Sequence, residues 1–277
     1  MALQLKYASN ATLLLDDLVR SLGTPSTPAG LVVPVLMPSL PLVERAKVTL
    51  ARRCGVSMGA SFLLPGAFIE HIAKLVGVDP IHPSWRPEGL SWRLVPLLAA
   101  MVREGYSRHF AAVCVDSRAQ MALARELADR FDQYLYFRPQ MIAAWTRNEC
   151  ADGVPDTARE DEGWQKELWR RLASGLDNYP DPAVRLSDLA RRVADGSGDL
   201  PATLEVLATG PLPPTLLPLL RALAGRTHVC LRTLLPSTEY LGDIRAGRSQ
   251  MRAGEVVDPA WEGNPLLSPL GKQAIES

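Results

Sequence analysis

The chain has 277 residues, enough for one large domain or two smaller ones with a substantial core. Its 47% of hydrophobic residues excludes a disordered chain, and its formal net charge of zero argues against nucleic-acid binding through overall charge. No stretch reaches the roughly 18–20 apolar residues that a membrane span requires. The N-terminus lacks the apolar core and cleavage site of a signal peptide, so we expect a cytoplasmic protein without membrane contact.

Neither the cysteines nor the histidines are spaced for a metal site. The cysteines lie far apart, without a Cys-x-x-Cys pair, at Cys54, Cys114, Cys150 and Cys230. This spacing argues against zinc binding and against a disulfide framework, and it favours buried or idle thiols. The histidines show no pairing at a spacing of four residues, so each is interpreted as a surface or core residue.

The first eighty residues alternate between strand and helix patterns. Predicted strands at 3–7 and 31–37 alternate with predicted helices at 11–22 and 42–53, and an apolar segment at 62–64 leads into a further helix through residue 76. Pro34 inside the second strand predicts an edge position or a bulge, because proline cannot donate to a strand ladder. The alternation is typical of a parallel α/β sheet.

Helical patterns dominate the middle of the chain, and strand patterns return near its end. Helices are predicted at 90–103, 119–135, 139–147, 164–176 and 183–194, with an acidic loop at 150–162. Strands at 203–208 and 228–234 then flank a helix at 215–224, for which Gly225 is the predicted cap. We therefore predict a parallel α/β domain formed by residues 1–86 and 198–277, with a helical insertion at 87–197.

Two short motifs point to enzyme chemistry, but their context argues against it. Gly55-Val56-Ser57-Met58-Gly59 fits the nucleophile elbow of α/β hydrolases, yet a helical pattern precedes it and an extended one follows, the reverse of the required order. Ser9-Asn10 occupies the turn after the first strand, where nucleotide-binding domains cradle phosphate, but it has no glycine or lysine. We interpret Asn10 as a helix N-cap and expect no ATP hydrolysis by this chain.

An acidic cluster and a set of aromatic residues leave alternatives open. Asp161-Glu162 with Lys166 and Glu167 could belong to a metal-dependent nuclease, but we interpret these residues as a helix cap with solvated charge. Several aromatic side chains cluster in the helical region together with Tyr134 and Tyr136: Trp85, Trp92, Trp145, Trp164 and Trp169. Packing in a core and stacking on unpaired bases beside arginine both remain possible.

A series of short motifs runs in collinear order through nearly the whole chain. The motifs are Ser9-Asn10, Phe62-x-Leu64-Pro65-x-x-Phe68-Ile69, Leu90-Ser91-Trp92-Arg93-Leu94, Phe131-Asp132-Gln133-Tyr134-Leu135 with Arg138-Pro139, Trp145, Trp164-Gln165-x-x-Leu168-Trp169, Leu212-Pro213-Pro214, Tyr240-x-Gly242-Asp243-Ile244 and Gly263-Asn264-Pro265-Leu266-Leu267. In this order they resemble the N-terminal region of the gamma subunit of bacterial exodeoxyribonuclease V, the RecC family.

The resemblance implies a fold and a role. The family's N-terminal region is similar to a superfamily 1 helicase core, a P-loop-like fold, that has lost its ATPase motifs. The gamma subunit works with a beta subunit, a helicase and nuclease, and with an alpha subunit, a helicase. It splits the duplex at a DNA end and guides the 3′ single strand, and ATP and Mg are expected on the partner subunits, with no cofactor in this chain.

The resemblance also implies a surface that contacts the single strand. Carried over position by position, it predicts that DNA is contacted by Leu64, Asp129, Asp132, Arg138 and Arg185. The arginines would contact phosphates or base edges, and the aspartates would accept from base amino groups or orient the arginines. Pro38, Leu40 and Glu70 depart from the family pattern, which puts standard reading of the Chi sequence in doubt.

The chain is several times shorter than members of the family, so we interpret it as an N-terminal fragment or a truncated gene product. Two other functions remain as alternatives to the DNA-guiding subunit. One is a self-contained α/β hydrolase that uses Ser57, and the other is a structural domain whose arginine and tryptophan residues pack against partner subunits.

Overall fold

The computed structural model describes residues 3–23, 32–106, 113–114, 116–176, 179 and 181–235. The chain divides into two compact units. The sheet unit comprises residues 1–77, 193–212 and 220–277, and the helical unit comprises residues 78–192 and 213–219. The predicted domain boundaries after residues 86 and 197 remain a prediction.

The described elements follow the alternation that the sequence predicts. In chain order they are β1 (Leu3–Ala8), α1 (Ala11–Leu22), β2 (Val33–Leu36), α2 (Leu40–Cys54), β3 (Ala60–Leu63), α3 (Pro65–Leu75), α4 (Pro87–Arg103), α5 (Ser117–Phe137), α6 (Pro139–Thr146), α7 (Arg159–Ser174), α8 (Pro182–Ala194), β4 (Thr203–Ala208), α9 (Leu216–Arg226) and β5 (His228–Leu234). Single 3-10 turns lie at Pro83–Trp85 and Asp156–Ala158. The five described strands form one parallel sheet in the order β1-β5-β4-β2-β3, which confirms the α/β class.

The helix α1 shows how the local sequence builds the sheet unit. The Asn10 side chain accepts a hydrogen bond from the Leu13 backbone N–H at 3.0 Å, which caps the helix and confirms the N-cap prediction. Helical spacing then places Leu14, Leu15 and Leu18 on one buried face. This face packs in a cluster with residues of β2, α2 and β4, so α1 and α2 share this core.

The prediction that Pro34 marks an edge position or a bulge is wrong, since β2 also pairs with β3 in an unbroken register. The strand β2 lies inside the sheet, between β4 and β3. Val33 and Met37 donate their N–H groups to carbonyls on the β3 side, so the alternate residue Pro34 turns its nitrogen toward β4. Pairing with β4 begins only at Val35, so the missing N–H of Pro34 leaves no gap in the ladder.

A cluster of buried charges lies between the sheet and α1. The Arg232 side chain is fully buried on β5, and its Nε donates to Asp17 Oδ2 on α1 at 2.7 Å. Its Nη1 donates to the Glu205 carboxylate on β4, which also accepts from Ser21 Oγ at 2.8 Å. Burial opposes the Arg232 charge, but the carboxylates hold the pKa of Arg232 above its usual range. Lys6 on β1 completes the cluster by binding Asp17 at 2.9 Å.

The helical unit has a continuous core of its own. The predicted stripe along α5 is confirmed, since Leu127, Phe131 and Leu135 are buried and Leu123 packs against them. Residues of α4, α6 and α7 complete this core around Trp145 and Trp169. Among the described residues, no helix is both long and apolar enough to cross a membrane.

Two helix ends differ from their predictions. Gly225 lies inside α9, which continues to Arg226, so Gly225 is not its cap. The predicted acidic loop at 150–162 ends early, because α7 already begins at Arg159. Three acidic residues in the first turn of α7 interact favourably with the partial positive charge of the helix N-terminus. This interaction explains why the charged segment is helical there.

Candidate functional site

Arg138 lies at the corner between two helices because of the residue that follows it. Pro139 cannot continue α5, and it disfavours helical geometry in the residue before it. Arg138 accordingly adopts φ −134° and ψ 51°, and Pro139 then starts α6 at a position where proline is well tolerated. The break leaves the guanidinium exposed, with its Cζ 5.9 Å from the centre of the Tyr134 ring.

This corner opens onto a large concave surface, the Arg138 groove, with a volume of about 910 Å³. Its polar lining includes Arg138, Arg147, Gln140 and Gln165, and Phe137 on its rim is 48% exposed. Arginine forms charge-assisted contacts with phosphate, and an exposed aromatic ring offers a stacking surface for a base. Arg147 in this lining is paired with Glu149 at 2.7 Å, so Arg138 and Phe137 are the two features of the groove that suit single-stranded nucleic acid.

Glu162 lines the Arg138 groove. Its carboxylate was predicted to be solvated, and this prediction is wrong because the side chain is buried. Its side chain is buried on α7, where Oε1 accepts from Trp145 Nε1 at 3.1 Å and from the Ala151 N–H at 2.5 Å. Oε2 accepts from Arg159 Nη1 at 2.8 Å. Burial opposes the charge of Glu162, but these three donors together lower the pKa of Glu162. The carboxylate thus ties the loop after α6 to α7.

The tertiary structure separates the tryptophan residues into two groups. Trp85, Trp145 and Trp169 are buried, and each ring N–H donates a hydrogen bond. They therefore serve the core and cannot stack on a ligand. Trp92 on α4 is 68% exposed, and Trp164 is half-buried.

The predicted aspartates Asp129 and Asp132 lie one turn apart on α5, near Glu88 of α4. Asp129 is exposed and lines a small pocket of about 240 Å³ together with Glu88, Trp92 and Arg125. Burial, and then the charges of Asp129 and Glu88, raise the pKa of Asp132 from 3.8 to about 6. Asp132 thus lies near other carboxylates, whereas Arg138 lies over the Tyr134 ring and lines the Arg138 groove.

Replacing Asp132 by asparagine should stabilise the protein at neutral pH. Because the folded-state pKa is raised, the Asp132 carboxylate progressively destabilises the fold as pH rises from about 4 through about 6. After allowance for solvent screening, Asp132→Asn should gain about 1–2 kcal/mol at pH 7.5 relative to pH 4.5. Urea unfolding at both pH values measures this gain. The exposed Asp152→Asn is the matched control, and an equal response of both variants would contradict the assignment.

The two remaining residues predicted to contact DNA, Leu64 and Arg185, differ in solvent exposure. Leu64 precedes α3 at the carboxyl end of β3 and is 38% exposed in the sheet unit. Arg185 in the helical unit is only 7% exposed, and its Nε donates to the Asp79 carbonyl at 2.9 Å. To contact DNA as predicted, the Arg185 side chain would have to give up its hydrogen bond to the Asp79 carbonyl.

The hydrolase alternative is wrong, because Ser57 follows a helix. Gly55 ends α2 with a left-handed φ of 78°, and Gly59 leads into β3 with a φ of 77°. The exposed Ser57 therefore lies between a helix end and a strand start, the reverse of a nucleophile elbow.

Two of the described cysteines, Cys114 and Cys230, are buried, and burial raises the pKa of both thiols. Burial raises the pKa of the Cys230 thiol to about 11, which disfavours its reactive thiolate. Within the described ranges, no group of three or more histidine, cysteine, aspartate or glutamate side chains is arranged to hold a metal ion.

Sequence reasoning did not single out Phe137, Arg147 or Glu162 as parts of one surface. Phe137 and Arg138 are adjacent in sequence, so the exposed aromatic beside the helix-breaking proline was the available signal. Arg147 and Glu162 reach the groove only through the packing of α6 and α7, which sequence spacing does not show.

Comparison with known proteins identifies the family. The family model described as RecC, N-terminal domain, matches residues 3–276, so the chain belongs to this family. It is 27% identical to the RecBCD enzyme subunit RecC of Escherichia coli over 275 residues, which covers 86% of this chain and 24% of that protein. The RecBCD enzyme subunit RecC of Mycobacterium tuberculosis is 30% identical over 301 residues, with 100% of this chain and 26% of that protein covered.

A third relative agrees with these two. The RecBCD enzyme subunit RecC of Mycolicibacterium smegmatis is 27% identical over 286 residues, with 100% of this chain and 25% of that protein covered. The chain thus spans about a quarter of the length of the curated relatives it matches.

Proposed function

We propose that this chain acts as the N-terminal part of a DNA-guiding, non-ATPase subunit in a RecBCD-type helicase–nuclease complex for double-strand break repair and recombination. The observation that carries the proposal is the family match over residues 3–276. The partners would be the beta and alpha subunits of exodeoxyribonuclease V, together with double-stranded DNA ends and the 3′ single strand. ATP and Mg would act on the partner subunits.

The parallel sheet supports a helicase-like origin for the fold. The turn from β1 into α1 lies where a nucleotide-binding domain would hold phosphate, but Asn10 uses its side chain there to cap the helix. We propose that this core descends from a superfamily 1 helicase domain and has a structural role. Because Pro38, Leu40 and Glu70 depart from the family pattern, we propose that it does not read Chi in the standard way.

The Arg138 groove supports a direct role in contacting the single strand. An exposed guanidinium, a second arginine and an exposed aromatic ring line the same concavity. Arg138 would contact phosphate, and Phe137 would stack on a base. We place Asp129 and Asp132 beside the path of the strand, where they would contact base amino groups.

Replacing Arg138 by alanine should weaken single-strand binding by the complex reconstituted with its beta and alpha subunits. Loss of one phosphate contact should reduce the slope of log affinity against log salt by about 1. A fluorescence titration with a forked DNA end at several salt concentrations measures this slope. Arg130→Ala on the exposed face of α5 is the matched control, since Arg130 does not line the groove.

The same experiment separates this role from a structural interaction domain. If Arg138→Ala weakened subunit association but left DNA binding by the assembled complex unchanged, the groove would be a protein interface. Photo-crosslinking from Phe137 would then reach a partner subunit, whereas the DNA-guiding role predicts a crosslink to the 3′ strand of the fork.

A further inference from the structure

A small cavity between α4 and α5 of the helical unit, the Trp92 pocket, is bordered by two rows of side chains at helical spacing. Glu88 and Trp92, four residues apart, lie on the α4 side. Met121, Arg125 and Asp129 follow one another at the same spacing on the α5 side. Both helices also bury a face in the core of the helical unit, so core packing fixes the distance between the two rows.

Trp92 is accessible to a ligand, whereas the core tryptophans are not. It is 68% exposed, while Trp85, Trp145 and Trp169 are buried and donate their ring N–H groups inside the protein. An exposed indole beside a cavity offers a flat surface on which a nucleobase can stack. The Trp92 pocket has a volume of about 240 Å³, below the roughly 300–1,000 Å³ of pockets for drug-sized ligands, so its size suits a single ring system.

The charged groups of the Trp92 pocket suit a base that carries an amino group. Glu88 and Asp129 are exposed carboxylates, which accept hydrogen bonds and repel phosphate, so the base and not the backbone enters between them. Arg125 makes no ion pair with any side chain that the structure describes, so its guanidinium is available to the phosphate of the same nucleotide. Cytosine, adenine and guanine carry an amino donor for a carboxylate, and thymine does not.

We propose that the Trp92 pocket holds one unpaired base of the single strand, stacked on Trp92, with its amino group donating to Glu88 or Asp129. The pocket depends on the DNA-guiding role proposed above, which brings a single strand to the helical unit. Asp129 and Arg138 lie about 13 Å apart along α5, so the Trp92 pocket and the Arg138 groove contact different nucleotides. The pocket thereby adds a preference for amino-bearing bases to the phosphate contact of Arg138.

Binding of forked DNA ends by the complex reconstituted with its beta and alpha subunits measures this preference. The normal complex should bind a fork with a cytosine 3′ strand about tenfold more tightly than one with a thymine 3′ strand, and Trp92→Ala should abolish the difference. Trp92→Phe keeps a stacking ring and should retain most of it. Tyr7→Ala, at an aromatic residue that is 64% exposed in the sheet unit, is the matched control and should leave it unchanged. A preference that survives in Trp92→Ala, or is missing from the normal complex, would overturn the proposal.

Photo-crosslinking in the same complex identifies what occupies the Trp92 pocket. With 5-iodocytosine placed at single positions along the 3′ strand, irradiation and peptide mapping should give a crosslink to Trp92, because iodopyrimidines react with an aromatic ring on which they stack. If Arg138→Ala weakens fork binding but no position crosslinks to Trp92, the base site is excluded and the DNA-guiding role stands. If Arg138→Ala and Trp92→Ala both leave binding unchanged, both proposals fail. A crosslink from p-benzoylphenylalanine in place of Trp92 to a partner subunit, and not to DNA, would assign the pocket to a protein contact instead.

Discussion

Replacing Arg232 by methionine should lower the free energy of unfolding by about 3–5 kcal/mol, because the change leaves a buried carboxylate without its partner. The Glu205 side chain on β4 is almost fully buried, and Arg232 supplies its ionic partner. Asp17 is partly exposed and keeps its ion pair with Lys6, so the loss of Arg232 destabilises its charge less. Denaturant unfolding at pH 7 measures the loss.

Two further variants make the Arg232 result specific. Arg221→Met on the exposed surface of α9 should change stability by no more than about 0.5 kcal/mol. The double variant Arg232→Met with Glu205→Leu should recover about 1–3 kcal/mol relative to Arg232→Met alone, since it removes the orphaned charge. Additive losses in the double variant would show that the charges are not coupled.

Replacing Glu162 by alanine should lower the free energy of unfolding by about 2–4 kcal/mol, since it removes the acceptor of the Trp145 ring N–H and the Ala151 N–H inside the protein. Glu162→Gln keeps one carbonyl oxygen in place and should cost about 1–2 kcal/mol. The exposed Glu160→Ala in the same helical turn is the matched control and should be nearly neutral.

The pH dependence gives an independent check on Glu162. Because its folded-state pKa is lowered, its contribution is present above about pH 4.5 and disappears as pH falls through the folded-state pKa. The difference in stability between the normal protein and Glu162→Gln should therefore shrink in acid. A difference that stayed constant down to pH 3 would show that the carboxylate is not held in its charged form.

Element type and order could be predicted from local patterns. The ranges predicted for β4 and β5 coincide with the observed strands, because short segments rich in apolar and β-branched residues and bounded by turn residues favour strands. The first helix was also located by its N-cap and its apolar spacing. The edge position inferred from Pro34 failed because the hydrogen-bonding direction of a single residue depends on pairing with β3 and β4.

The candidate site was predicted only in part. Arg138 was singled out by the family resemblance, and the break between the helices predicted at 119–135 and 139–147 follows from the local backbone geometry of Pro139. The environment of Asp132 could not be predicted, because its raised pKa depends on burial and on Glu88, which lies in another helix. Glu162 was misread for the same reason: its buried partners Trp145 and Ala151 lie well before it in the sequence.

The sequence by itself determined the α/β class, the order of elements, the family and the helix break before Pro139. Each of these depends on interactions within a few residues or on collinear motifs. Only the tertiary structure decided which tryptophans are buried, which charges are paired inside the sheet unit and which residues line the Arg138 groove. These properties arise from contacts between segments that are distant in the sequence. Burial strengthens the charge interactions there, and the charge of the neighbouring group decides whether a pKa is raised or lowered.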